Sequence, residues 1–142
     1  VHHLKRTARC HCGDLWLETD ADPELVVMCH CELCQRRTGT SYNLGAWFSK
    51  QAVRISGATQ QYVRTGDMQL EAVFTLCPRC GTSLYWEVPA MKPGEIAVAV
   101  GCFADPAFPP PTLSLYGKRK HCWLTIPAGI TSYAGGWGSE DG

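Results

Sequence analysis

The chain has 142 residues, of which 45% are hydrophobic and 18% charged, and thirteen basic residues balance thirteen acidic ones. That length suits one compact domain with its own core and is short for two of ordinary size. A formal charge of zero, with no basic run longer than Lys118-Arg119-Lys120, excludes the electrostatic footprint of a nucleic-acid or anionic-membrane binder, and no apolar stretch is long enough to cross a bilayer.

In chain order, the first signal is Cys10-His11-Cys12-Gly13. In an extended segment residues i and i+2 share a face, so Cys10 and Cys12 project together and His11 points away, which argues against His11 as a ligand. A period-two run over residues 15–19 predicts a strand. Cys29-His30-Cys31 repeats the first geometry, and a turn at Glu32-Leu33 brings Cys34 back toward the same point. A short helical turn is predicted over residues 32–37, with Glu32 favourable at its start and Gly39 ending it. Further strands are predicted over residues 60–64, 70–76 and 96–100, with turns at Ser56-Gly57, Thr65-Gly66-Asp67, Pro93-Gly94 and Pro109-Pro110-Pro111. Cys77-Pro78-Arg79-Cys80-Gly81 is a tight knuckle, in which Pro78 fixes one backbone angle and Gly81 permits a left-handed one. A loose tail is predicted over residues 135–142. The fold class is mainly β, built of antiparallel sheets with little helix. One domain is expected over residues 1–142, with its core at about 8–133. The N-terminus lacks a secretory pattern, so a cytoplasmic protein is expected.

Nine cysteines are an odd count, and their spacing reads as metal ligation rather than a disulfide framework. Seven fall into the three clusters, and seven thiolates divide as four for a closed structural zinc and three for an open one. The division needing least distortion joins Cys10 and Cys12 to Cys77 and Cys80, leaving Cys29, Cys31 and Cys34 as a local trio. A zinc ribbon from Cys31, Cys34, Cys77 and Cys80 is a second solution on spacing alone. Cys102, in an apolar run, and Cys122, beside Trp123, are read as buried small hydrophobes. Trp47, Phe48, Tyr85 and Trp86 are read as core before pocket lining. His121 is read as structural before catalytic, and His2 and His3 are assigned no role.

The residues Cys10-His11-Cys12-Gly13, Cys29-His30-Cys31-Glu32-Leu33-Cys34-Gln35-Arg36-Arg37-Thr38-Gly39 and Cys77-Pro78-Arg79-Cys80-Gly81-Thr82 together resemble the glutathione-dependent formaldehyde-activating enzyme family. The likeness continues through Ala46-Trp47-Phe48, Leu84-Tyr85-Trp86, Gly101 to Pro106 and His121-Cys122-Trp123. The resemblance implies a β-tent fold, with Cys10, Cys12, Cys77 and Cys80 as structural zinc ligands and Cys29, Cys31 and Cys34 as catalytic zinc ligands. Two departures stand out: Ala8 where the family usually has Gly, and Ala104 in place of an acidic residue before Pro106.

A zinc held by three thiolates is electron-rich, a poor generator of hydroxide and a good partner for a further sulfur. The expected substrate is therefore a small thiol. In the family's terms this is glutathione, whose sulfur adds to formaldehyde to give S-hydroxymethylglutathione or leaves it in the reverse carbon–sulfur lyase direction. Arg36 and Arg37 directly follow the trio and could hold a glutathione carboxylate, or simply offset the thiolate charge. The rival readings are a zinc-stabilised protein-binding module without catalysis, and a zinc carrier or thiol sensor.

Overall fold

The computed structural model describes residues 5–66 and 69–139. His2 and His3, Asp67 of the predicted turn and the last three residues of the predicted tail lie outside them. The strands are β1 (Arg6–Arg9), β2 (Trp16–Thr19), β3 (Leu25–Cys29), β4 (Asn43–Ser49), β5 (Val53–Ser56), β6 (Gln60–Thr65), β7 (Glu71–Leu76), β8 (Ser83–Glu87), β9 (Glu95–Ala99), β10 (Leu113–Leu115) and β11 (Thr131–Ser132). One α-helix, α1 (Glu32–Thr38), follows β3. With 39% strand and 14% helix the chain is mainly β, as its period-two runs predict. No described helix is long and apolar enough to cross a membrane. The chain divides into two compact units, Val1–Glu24 with Ala46–Phe108, and Leu25–Gly45 with Pro109–Gly142.

The first unit carries two antiparallel arrangements. In one, β2 lies between β1 and β5, with Leu17 opposite Ala8 and Ile55. In the other, β6 pairs with β7, β7 with β8 and β8 with β9. Alternation places Ala72 and Phe74 of β7 inside, while nearly all of β6 is exposed. Leu15, Leu17, Phe48, Leu84, Ile96 and Val98 are fully buried, and Trp47, Tyr85 and Trp86 are buried with them. Each such side chain contributes roughly 1.5–3 kcal/mol by leaving water. Gly57 closes β5 at φ 114°, where a Cβ would fall 2.2 Å from the Asp14 carbonyl oxygen, so only glycine fits.

The second unit departs from the antiparallel expectation. β10 pairs in parallel with both β3 and β11, Leu113 lying opposite Val27 and Thr131. Parallel neighbours need a long crossover, and the chain from β4 to β9 runs between β3 and β10. Val26, Val27, Met28 and Leu113 form its apolar core, with His30 and Ser114 buried among the polar groups. The predicted loose tail is partly ordered: the Gly135 carbonyl accepts from Tyr116 N at 2.8 Å, and Gly135 N donates to Ser139 Oγ at 2.9 Å.

Candidate metal centres

The first unit brings Cys10, Cys12, Cys77 and Cys80 together, all four sulfurs within 4.8 Å of one another. Two hairpin loops deliver them. The β1–β2 loop turns at Gly13 (φ 89°), closed by Cys10 N–H to the Leu15 carbonyl at 2.9 Å and Gly13 N–H to the Cys10 carbonyl at 3.1 Å. The β7–β8 loop turns at Gly81 (φ 79°), where Gly81 N–H reaches the Cys77 carbonyl at 2.8 Å. A register shift at Thr75/Leu76 immediately precedes it. His11 N–H donates to Thr82 Oγ1 at 3.0 Å, tying the loops directly, and the His11 ring is outside the sulfur cluster. Cys10 and Cys12 therefore converge through a turn, not through the extended strand predicted for them.

The sulfurs of Cys10 and Cys12, and of Cys12 and Cys77, are each 3.6 Å apart. Four sulfurs at about 2.3 Å from a tetrahedral zinc stand about 3.8 Å from one another, so the donor set and its spacing fit such an ion. Thiol acidity is split across the cluster. The Thr82 hydroxyl, 3.2 Å from Cys80 Sγ, and neighbouring backbone groups bring the Cys80 thiol down to about 5. A backbone bond from Asp14 pulls Cys12 down, but burial and the three surrounding sulfurs outweigh it and push that thiol up to about 12.

The second unit brings Cys29, Cys31 and Cys34 together within the same limit. Cys29 ends β3, Cys31 caps α1 and Cys34 lies in its first turn. The cap is a sulfur: Cys31 Sγ accepts from Cys34 N at 3.3 Å, which holds two of the three donors in one turn of backbone. Gly39, left-handed at φ 70°, ends the helix where the sequence predicts. The neighbouring sulfurs of Cys31 and Cys34, then burial, hold the Cys29 thiol well above its ordinary range. Cys34 is pulled down by Cys29, yet Cys31 and burial push it up to about 11. Three adjacent thiols resist ionising together unless a cation joins them, and an all-sulfur set suits zinc.

No fourth cysteine, histidine or carboxylate joins this trio among the described residues. The intervening His30 is buried, its Nε2 lying 3.0 Å from Ser114 Oγ, and burial lowers its basicity. Arg37 donates to Asn43 Oδ1 at 2.9 Å, whereas Arg36 is exposed. Glu32, in the first helical turn, stands 3.9 Å from Arg119. Gln35, for which no distinct role is predicted, contacts the His30 and Arg119 carbonyls and the His121 ring. No spacing rule marks such a residue, because its partners come from three separate segments.

Cys102 is half-buried rather than buried as predicted: it lines an open cleft of about 520 Å³ together with Arg9 and His11, and partial burial pushes its thiol up to about 11. Cys122 corrects the prediction that it is buried: it is exposed. The turn closed by Leu124 N–H to the His121 carbonyl at 3.1 Å faces outward, leaving Trp123 67% exposed.

A mainly β chain holding one four-sulfur and one three-sulfur cluster has the make-up of a small cysteine-rich metal-binding protein. The sequence matches the family described as glutathione-dependent formaldehyde-activating enzyme over residues 5–119, and the chain belongs to that family. Among solved structures, a Rhodobacter sphaeroides protein from a structural genomics programme is similar in fold, with a TM-score of 0.50 and 22% identity over 73% of this chain and 91% of its own. No curated protein matches the sequence.

Proposed function

We propose that the protein is a zinc-dependent carbon–sulfur lyase of the glutathione-dependent formaldehyde-activating type, acting on a small thiol or an adduct such as S-hydroxymethylglutathione. The observation that carries this reading is the unequal pair of clusters: four sulfurs complete one tetrahedron, and three leave a position for a ligand from outside. Membership of the family supports the substrate class. Cys10, Cys12, Cys77 and Cys80 hold the structural zinc in this reading, and Cys29, Cys31 and Cys34 the catalytic one. The zinc bound at the trio would lower the pKa of a thiol ligand and stabilise its thiolate.

The chain's own residues do the rest. The sulfur cap and the first turn of α1 fix two of the donors, and β3 delivers the third. Arg37 is committed in part to Asn43, so we assign a glutathione carboxylate first to exposed Arg36. In the lyase direction the sulfur–carbon bond of the adduct breaks and its electron pair returns to sulfur. The hydroxyl proton passes to water as the carbonyl of formaldehyde forms, leaving a thiolate and the free aldehyde. The reading takes residues 1–142 as one working domain in the cytoplasm, where thiols stay reduced.

Metal analysis and titration calorimetry of the purified protein beside a Cys34→Ser variant test it. The expected result is about two zincs and glutathione binding in the native protein, with one zinc and the binding lost together in the variant. Two zincs with no glutathione binding at millimolar concentration would contradict the proposal.

A further inference from the structure

One amide joins three parts of the second unit. Gln35 Nε2 donates to the His30 carbonyl at 2.8 Å and to the Arg119 carbonyl at 3.2 Å, while its Oε1 lies 2.9 Å from His121 Nε2. Both carbonyl oxygens only accept, so the amide nitrogen must face them and Oε1 must face the histidine. An amide oxygen also only accepts, so His121 Nε2 must carry a hydrogen. The neutral ring is therefore the Nε2–H tautomer, and Nδ1 is the atom at which it gains and loses a proton. The same amide has a second consequence. His30 stands between Cys29 and Cys31, and Gln35 follows Cys34, so the bond to the His30 carbonyl ties the two-cysteine loop to the helix carrying the third cysteine.

We propose that Gln35 is the positioning residue of the three-cysteine site: it closes the loop of that site onto α1 and holds His121, one amide group away, with Nδ1 as proton acceptor for an arriving thiol. The S–H bond breaks, the electron pair stays on sulfur, and the proton forms an Nδ1–H bond. The imidazolium so formed keeps its Nε2–H bond to Gln35. Arg119 and Lys120 precede the ring on its own segment, Arg119 lies 3.9 Å from Glu32 of α1, and the charges of Lys120 and His121 both bear on His30. Lys120 Nζ is held by the Leu124 carbonyl at 2.8 Å, and Trp123 meets the ring edge-on at 5.6 Å. The role of Nδ1 rests on the thiol-binding reading above, whereas the tautomer does not.

Two measurements on the zinc-loaded protein separate these parts. Two-bond nitrogen–proton correlation spectra report the tautomer: a single Nε2–H form is expected in the native protein, and a mixture of both forms in Gln35→Met. A native ring that is Nδ1–H, or the same mixture in both proteins, would overturn the positioning role. Glutathione titrations in two buffers of different ionisation enthalpy count the protons released. About one proton per thiol is expected from His121→Asn, since a thiol binds as thiolate, and clearly fewer from the native protein. Equal release would overturn the proton-acceptor role. Absence of any glutathione binding in the native protein would overturn that role together with the thiol reading, and the tautomer spectra would still decide the place of Gln35.

Discussion

The two cysteine clusters use the same donor atom in opposite ways. The four-sulfur cluster joins hairpin loops 65 residues apart, as between Cys12 and Cys77, while the three-sulfur cluster runs from Cys29 to Cys34 in one stretch of chain. An ion in the first would close a long loop and restrict the unfolded chain, as a cross-link does. An ion in the second would close almost none. Their electrostatics differ too. Thr82 favours a thiolate at Cys80 while its neighbours push Cys12 up, so the first cluster is split, whereas Cys29 and Cys34 are both pushed toward the neutral thiol. The lesson is that the two clusters differ in more than ligand count: the sequence distance each spans differs as well.

The largest effect expected from breaking this contrast is at Cys77. A structural zinc supplies on the order of 10 kcal/mol of apparent binding energy, so Cys77→Ser should abolish cooperative unfolding of the first unit, followed by circular dichroism during heating. Cys34→Ser should leave that transition in place and remove one zinc of two, read by metal analysis. A chelator titration should follow the same order, the trio emptying first, because its loss disturbs only local structure. Equal resistance of the two sites would erase the contrast.

Smaller effects sharpen it. Ser114→Ala leaves His30 Nε2 buried without its 3.0 Å partner and should cost about 1–3 kcal/mol in urea unfolding. The smallest lies on the surface of the first unit, where Lys5 and Arg54, each 2.9 Å from Glu18, lower its carboxyl from 4.5. A carboxyl lowered by folding contributes stability above its unfolded value and loses it as pH falls through the folded one. Glu18→Gln should therefore lower the melting temperature slightly at pH 7 and not at about pH 2, and 1 M salt should erase the difference.

Much of this was legible in the residues. The strands over residues 60–64, 70–76 and 96–100 follow from runs rich in Val, Ile, Thr and aromatics, although β9 buries three residues in succession rather than alternating, and the α1 boundary follows from Glu32 and Gly39. β10 and β11 escaped because strands of three and two residues carry no period, and their parallel pairing depends on chain far away. The cysteine grouping was legible because each cluster signals itself by spacing. What lies around the trio was not: Gln35, Ser114 and Asn43 are ordinary polar residues whose partners are fixed only by folding. Cys122 was misread because a tryptophan neighbour suggested burial, while the turn after Lys120 directs both side chains to solvent.

The central claim is that one cluster is complete and the other takes a sulfur from outside. Cadmium exchanged into both sites gives a nuclear resonance whose shift rises with each sulfur donor. The account predicts two cadmium resonances, one in the four-sulfur range and one with fewer sulfurs, and on adding glutathione only the second should move toward the four-sulfur range. Two resonances in the four-sulfur range before any thiol is added, or a second resonance that glutathione leaves unmoved, would contradict it.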